Sequence, residues 1–383
     1  MMARLPSRIA FVCADAGGAC ALLPIFKHLR RNGTDVFAFV SGPSINMFDM
    51  PSSVSLLDDE LSVDQATICL MQKKAQFLLS AAGAFNQIEH TFRLAAKSLG
   101  LPIIAVVDGC NDFESRFQRK VSGKLETSYP ELICTSEKTT ITALPQVAQI
   151  GSTRVITTGS PYLETLHDLK ARRISTRLRL RQVFDIHDNE FCILFLSEPI
   201  IHRGSNDCNA KTGKHVFTYT PEEILKSTLS RIQAMRQETE LNIHFLLRAH
   251  PRDNRDHLAM FFHSLPHHGI IYNSANDHDL EEYVAASDLV LGMTTIALSE
   301  AAIAGVPVLS IQPCLRSLED SLCLGSKIGL FEVITTWNTF DRKIRDIASH
   351  RYRFRKRRKT FWRGATERIV AEINRLSQQS EAV

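Results

Sequence analysis

The chain has 383 residues, 45 Lys plus Arg against 41 Asp plus Glu, 44% hydrophobic and 22% charged residues, 18 Gly and 14 Pro. This composition excludes a disordered, collagen-like or low-complexity protein, and no apolar run is long enough to cross a bilayer. Residues 351–363 hold eight basic side chains and no acid, so the other 37 positive charges face 41 negative ones and the net +4 describes a mildly acidic body with one basic segment. The length predicts two domains. Residues 8–14 are a short β-rich run, 15–19 a small Gly-containing loop, and 22–31 an apolar stripe at helical spacing that Asn32 and Gly33 stop. Residues 35–40 read as the next strand. A strand-helix-strand start of this kind begins a parallel, doubly wound sheet.

A helix over 64–75, a strand over 76–80, a helix over 86–99 and a strand over 102–107 follow, with short strands at 132–135 and 155–158. The polar, arginine-rich stretch 163–183 reads as an exposed helix joining two domains. The alternation then restarts with a strand over 191–196, a long polar loop to residue 220, a helix over 221–238 with Pro221 in its first turn, and a strand over 243–248. Strands at 270–272, 289–292 and 307–311 and helices at 279–287 and 296–304 complete the pattern, and no short-period repeat interrupts it. The expected class is α/β, two Rossmann-like doubly wound domains facing a central cleft. Their expected bounds are 1–165 and 189–345, with a connector helix over 166–188 and a basic C-terminal helix over 346–383 that packs back on the first domain. Open α/β sheets bind ligands at the carboxyl ends of their strands.

Several strand ends carry chemistry. Gly292, Thr294 and Thr295 end a strand and open a helix, offering backbone N–H groups and two hydroxyls to a phosphate. Glu300 lies one to two turns further on, at the reach of a ribose; the plainer reading is a capping Thr and an exposed Glu. Arg248 and His250 end the 243–248 strand, where Pro251 forbids continuation. His250 can donate to a phosphate and the arginines can neutralise it, or the pair is a strand-ending turn. Ser197 and Glu198 end the 191–196 strand and face a base or phosphate. The loop over 200–220, with His202, Arg203 and His215, reads as a lid or acceptor loop. In the first half, Gly17 and Gly18 either admit a ligand to the backbone or serve a tight turn, and the Gly-x-Gly-x-x-Gly fingerprint is not met. Asp108, at a strand end before Gly109, is a candidate general base or a turn-forming Asp, and Asp15 is the competing base. Thr158-Gly159-Ser160-Pro161 reads as a structural turn, and His263, His267 and His268 do not form a metal-site pattern.

The stretch 287–310, with Gly292, Thr294, Thr295 and Glu300, resembles the donor-binding stretch of the GT-B superfamily, which includes nucleotide-sugar glycosyltransferases and the non-hydrolysing UDP-N-acetylglucosamine 2-epimerases. In that superfamily a small-residue loop holds the donor diphosphate and a Glu in the following helix binds the ribose. His250-Pro251 resembles the His-Pro of the epimerases and of bacterial sialyl- and polysialyltransferases, which implies a nucleotide contact for His250. The 15–19 loop resembles the Gly-rich first loop of GT-B enzymes, but Ala19 and Cys20 stand where a His often follows, removing one base candidate. Asp108-Gly109 resembles the Asp/Glu-Gly element of bacterial sialyltransferases, whose Asp is the base, although a single acid precedes Gly109 here.

The resemblance implies a metal-independent glycosyltransferase with an acceptor domain followed by a donor domain. Asp108, Asp15 and His250 would be catalytic; Arg248, His250, Gly292, Thr294, Thr295, Glu300, Ser197 and Glu198 would bind the donor; Gly17 and Gly18 would form an acceptor or phosphate loop. The donor, UDP- or CMP-linked, is a substrate, no cofactor is expected, and the acceptor is a glycan, lipid-linked or other hydroxyl. Two other readings are a 2-epimerase-like isomerase and a non-catalytic sugar-nucleotide-binding protein.

Nine cysteines with no Cys-x-x-Cys pair, and no convincing signal peptide over 1–7, lead to the expectation of a cytoplasmic protein. Cys13 and Cys192 sit in apolar runs and should pack as small hydrophobes. The basic segment 351–363, interleaved with Tyr352, Phe354, Phe361 and Trp362, suits an anionic inner membrane face or a charged glycan better than nucleic acid, or is a solvated helix face.

Overall fold

The computed structural model describes residues 5–48, 53–57, 60–83, 87–109, 116–121, 123–138, 153–198, 219–239, 241–250, 253–266, 270–275, 277–313, 315, 321, 323–349 and 362–381. The loop residues His202, Arg203 and His215, together with Pro251, Arg252, His267, His268 and the basic run up to residue 361, lie outside them. The chain divides into two compact units, Met1–Thr165 with Thr360–Val383, and Leu166–Lys359.

The first unit contains β1 (Arg8–Cys13), α1 (Ala16–Arg31), β2 (Asp35–Val40), β3 (Val54–Leu56), α2 (Val63–Gln72), β4 (Phe77–Ala81), α3 (Ile88–Ser98), β5 (Ile103–Val107), β6 (Gln118–Val121), β7 (Lys124–Thr127), β8 (Leu132–Thr135), β9 (Arg154–Thr157) and α4 (Pro161–Thr165). Seven strands form one parallel sheet in the order β3-β2-β1-β4-β5-β8-β9, and β6 pairs antiparallel with β7. Because side chains alternate across a strand, the continuous apolar run of β1 feeds two cores. Ile9, Phe11 and Cys13 pack with Leu22, Ile25, Phe26 and Leu29 of α1 and with Ile369, Ile373 and Leu376 of the C-terminal helix, Ala365–Glu381. Ala10 and Val12 pack on the opposite face with Phe39, Ala66, Leu70 and Phe92. Each buried large apolar side chain contributes about 1.5–3 kcal/mol. The start of α2 is fixed by a capping box in which Ser62 and Gln65 exchange bonds.

The second unit contains α5 (Leu169–Val183), β10 (Glu190–Leu196), α6 (Pro221–Thr239), β11 (Asn242–Arg248), α7 (Arg255–Ser264), β12 (Ile270–Ser274), α8 (Leu280–Ala286), β13 (Leu289–Gly292), α9 (Ala297–Ile303), β14 (Val308–Ile311), β15 (Glu332–Ile334) and α10 (Trp337–Ala348). Its six-stranded sheet is parallel throughout, ordered β12-β11-β10-β13-β14-β15. Phe191, Ile193 and Phe195 pack with Leu225, Leu229, Phe262, Phe340 and Ile344 in one core.

Helix α5 is largely exposed, as its polar sequence suggests, with only Leu169, Leu180 and Arg181 buried, but several of its arginines are engaged rather than solvated. Arg177 donates to the carbonyls of Ala285, Ala286 and Ser287 at 3.1, 3.0 and 2.7 Å, and so satisfies the carbonyl groups at the C-terminus of α8. Arg181, only 5% exposed, reaches Asp288 at 3.2 Å and the carbonyls of His187 and Glu190 at 2.6 and 2.8 Å. Arg177 and Arg181 are a clamp within the second unit, whereas Ile174 and Leu178 are exposed.

In both sheets the strand order reverses once, at β1/β4 and at β10/β13. Loops leaving two such strands run to opposite faces of the sheet and leave a crevice beyond the strand ends.

Candidate functional site

In the first unit, the crevice begins at Asp15. This residue is the N-cap of α1, and its Oδ1 accepts a hydrogen bond from the Gly18 N–H at 2.6 Å. Gly17 and Gly18 therefore lie in the first helical turn, and neither has a positive φ. Their lack of a side chain has a spatial cause. A Cβ at Gly17 would collide with Asp108 Oδ2; one at Gly18 would lie 2.7 Å from Ala81 Cβ and 3.1 Å from Asp15 Oδ1. A Cβ at Gly83, in the loop after β4, would lie 2.5 Å from Asp15 Oδ2 and 3.0 Å from Glu89 Oε2. Three glycines thus make room for three carboxylates.

The rest of this cluster comes from the buried side of α3 and the segment after β5. Glu89 is fully buried and accepts bonds from the N–H groups of Ala14, at 3.1 Å, and of Gly83. Burial, and then the negative charge of Asp15, push its carboxyl up to about 7, although Arg93 and the two amides pull the other way. Asp108 Oδ1 is held by Arg116 Nη1 at 2.8 Å, and the same nitrogen donates to the Ala82 carbonyl. Burial opposes the charge on Arg116, but Asp108, Asp15 and Glu89 more than offset it and hold the guanidinium above its ordinary range. Arg93, also fully buried, donates to Ser80 Oγ at 2.8 Å, to Ser128 Oγ at 3.1 Å and to the carbonyls of Ala81, Ser128 and Arg116 at 3.0, 3.1 and 2.6 Å. His90 bridges Ser128 Oγ and Glu126 at 2.8 and 3.0 Å, tying the β6/β7 hairpin to α3; burial lowers it to about 4, so it is neutral at ordinary pH. The Asp108 side chain remains 27% exposed, with one oxygen clamped and the other against Gly17.

The Glu89 carboxyl makes stability depend on pH. Its folded value lies above its ordinary 4.5, so the folded protein holds this proton more tightly than the unfolded chain. The corresponding stability is present below about pH 4.5 and is lost as pH rises through about 7, on the order of 3 kcal/mol in all. Asp15→Asn keeps the cap to Gly18 and removes the neighbouring charge. We expect the urea midpoint to fall less between pH 5 and pH 8 in this variant than in the wild type; equal falls would refute the coupling.

In the second unit, the β10/β13 register pairs Phe195 with Leu291, which brings the next residues of both strand ends side by side. Glu198 Oε2 accepts from the Thr294 N–H at 2.7 Å and Oε1 from the Thr294 hydroxyl at 2.6 Å. Gly292 is tightly packed, since a Cβ there would lie 3.1 Å from Leu298 Cδ2 and 3.3 Å from the Leu196 carbonyl. The loop is backed by Ser310 and Gln312, both of which donate to the Met293 carbonyl. Thr295 Oγ1 accepts weakly from the Ala297 N–H at 3.4 Å.

Arg248 donates through Nη1 to the carbonyls of Ala275 and His278 at 2.8 and 2.9 Å, and its guanidinium lies 5.7 Å from the centre of the Tyr283 ring. Burial lowers its proton affinity, while Tyr283, Asp279 and Glu300 act to raise it, so Arg248 and Glu300 share one electrostatic field. His250 is half-buried and its N–H donates to Asp253 at 2.9 Å. Ser197 is buried and bonds through its N–H to the Arg248 carbonyl at 2.8 Å.

The first crevice therefore gathers Asp15, Gly17, Gly18 and Asp108, and the second gathers Glu198, Gly292 and Thr294. Sequence reasoning gave no role to Arg116, and it omitted Glu89 and Arg93. Their signal was present in α3, where charged residues occupy positions that helical spacing assigns to the core, and only Leu94, Lys97 and Ser98 are not buried. Among the described residues no group of three His, Cys, Asp or Glu side chains could hold a metal ion, and no helix is long and apolar enough to cross a membrane.

No protein-family model matches the sequence, and no curated protein matches it. Solved structures do match along the whole chain. The MnaA protein of S. aureus, in a structure with UDP, is 14% identical and aligns over 97% of both chains with a TM-score of 0.66. The UDP-GlcNAc 2-epimerase of Methanocaldococcus jannaschii, also 14% identical, aligns over 96% of this chain and 99% of its own with a TM-score of 0.64. MurG of Acinetobacter baumannii is 13% identical and aligns over 97% of this chain and 100% of its own with a TM-score of 0.54. Identity this low speaks to architecture alone, and on that level the sheets and the whole-chain alignments agree: the protein has the GT-B-type fold, built from two Rossmann-like units.

Proposed function

We propose that the protein is a glycosyltransferase that uses a nucleotide sugar, UDP- or CMP-linked, and a hydroxyl acceptor on a glycan or lipid-linked sugar. The observation that carries this reading is the state of Asp108: a strand-end carboxylate, partly exposed, with one oxygen fixed by Arg116 and the other at the first turn of α1. A base held in one orientation can take the acceptor's proton as its oxygen attacks the anomeric carbon. In the second unit, Thr294, Thr295, Glu300, Arg248 and His250 would hold the donor. Arg248 and the Thr294 loop would face the charge that develops on the departing nucleotide, and no metal ion is required. The segment 351–363 would meet an anionic membrane or glycan.

A second reading is favoured by Glu89. Its buried carboxyl, pushed up to about 7 and clustered with Asp15 and Asp108, suits the proton removal and return of an isomerase, and several of the structural neighbours are described as UDP-GlcNAc 2-epimerases. Incubation with a panel of UDP- and CMP-sugars, with and without sugar acceptors, separates the readings. Free nucleotide that appears only with acceptor supports the transferase. A changed sugar on an intact nucleotide means the isomerase, and binding without turnover means neither.

A further inference from the structure

We propose that Glu198 is a built-in competitor for the phosphoryl seat at Thr294, so that a nucleotide binds only by displacing a carboxylate of the protein itself. The inference rests on the donor-site reading of the second unit. Both carboxylate oxygens are engaged, one by the Thr294 N–H at 2.7 Å and one by its hydroxyl at 2.6 Å. Those lengths belong to charge-assisted hydrogen bonds, and a pair of donors at that spacing presents to a carboxylate what it would present to two phosphate oxygens.

The contact is fixed by the fold. Strands β10 and β13 are parallel neighbours, Glu198 lies two residues past the end of one, and Thr294 lies two residues past the end of the other. On the other side, Ser310 and Gln312 hold the Met293 carbonyl and keep the Thr294 amide directed at the seat. A phosphate entering there meets a like charge and loses two donors already in use. The apparent affinity is then reduced by the fraction of molecules in which the seat is open. A nucleoside diphosphate, with several charges and a base and ribose to bind elsewhere, can overcome this competition better than inorganic phosphate can.

Calorimetric titration of the full-length protein with UDP, CMP and uridine tests the proposal. Glu198→Gln keeps an acceptor for Thr294 and removes the charge, and Glu198→Ala empties the seat. Both variants are expected to bind UDP or CMP at least about tenfold more tightly than the wild type, with the gain shrinking as salt is raised and with uridine affinity unchanged. Nucleotide binding that is unchanged or weaker in the variants, beside clear binding to the wild type, overturns the competitor role and leaves the donor site standing. An equal gain for uridine also overturns it, because the competition would then not be for phosphate. Failure of every form to bind either nucleotide overturns the donor-site reading together with the inference.

Discussion

Arg93→Met is expected to destabilise the first unit by about 4–5 kcal/mol, the largest stability effect of any single substitution proposed for this protein. The side chain is fully buried and supplies donors to the carbonyls of Ala81, Ser128 and Arg116 and to the hydroxyls of Ser80 and Ser128, and it lies 5.0 Å from the centre of the Phe117 ring. Methionine fills much of the volume but leaves those acceptors without partners in a dry interior. Glu89 loses the cation that restrains its rise in proton affinity. Arg93→Lys retains the charge but replaces a planar fork by a single ammonium, and should recover less than half of the loss. The chain has two tryptophans, Trp337 in the second unit and Trp362, buried, in the first. In a Trp337→Phe background, Trp362 fluorescence therefore reports the first unit, and its thermal midpoint should drop by roughly 10–15 °C. A drop of a degree or two would show that water or neighbouring side chains replace the guanidinium, and the account given for α3 would fail.

Asp108→Asn is expected to lower kcat by about 10²–10⁴-fold, while UDP affinity stays within about twofold of the wild type. Asparagine keeps the size of the side chain and an oxygen for Arg116, so the cluster should survive while the proton acceptor is lost. The split between kcat and affinity follows because Asp108 belongs to the first unit and the residues proposed to hold the donor belong to the second. Whichever nucleotide sugar is turned over by the wild type serves as substrate. Full turnover by Asp108→Asn would move the base elsewhere, with Asp15, the competing carboxylate, next in line.

The alternation of strands and helices was legible because the central strands are buried on both faces and read as unbroken apolar runs; the expected strand at 35–40 coincides with β2. Elements without that signal were missed. Strands β3 and β15 have three residues each, and the β6/β7 hairpin exposes Val121 and Leu125, so neither alternation nor an apolar run marks it. The 15–19 stretch reads as a loop because glycine lowers helix propensity, yet the Asp15 cap and the space demanded by Asp108 place Gly17 and Gly18 inside α1. The arginines of α5 read as solvated for an equally general reason. Sequence pattern says how often arginine faces water, and it contains nothing about the helix end that Arg177 and Arg181 cap. The same limit hid Glu89 and Arg93, since their partners come from β4, the Ala14 amide and the segments around Arg116 and Ser128.

The helix Ala365–Glu381 supplies Ile369, Ile373 and Leu376 to the core that covers one face of the first sheet. A ribosome therefore releases the strands of the first unit long before the residues that seal it. Roughly 200 residues of the second unit intervene, about 10–40 s of elongation at 5–20 residues per second. During that interval the nascent core lacks Ile369, Ile373 and Leu376, while the continuous second unit can fold as soon as it emerges. Synthesis order and folding order are thereby inverted: the unit translated first is the one completed last, and in that window it is a natural client for chaperones.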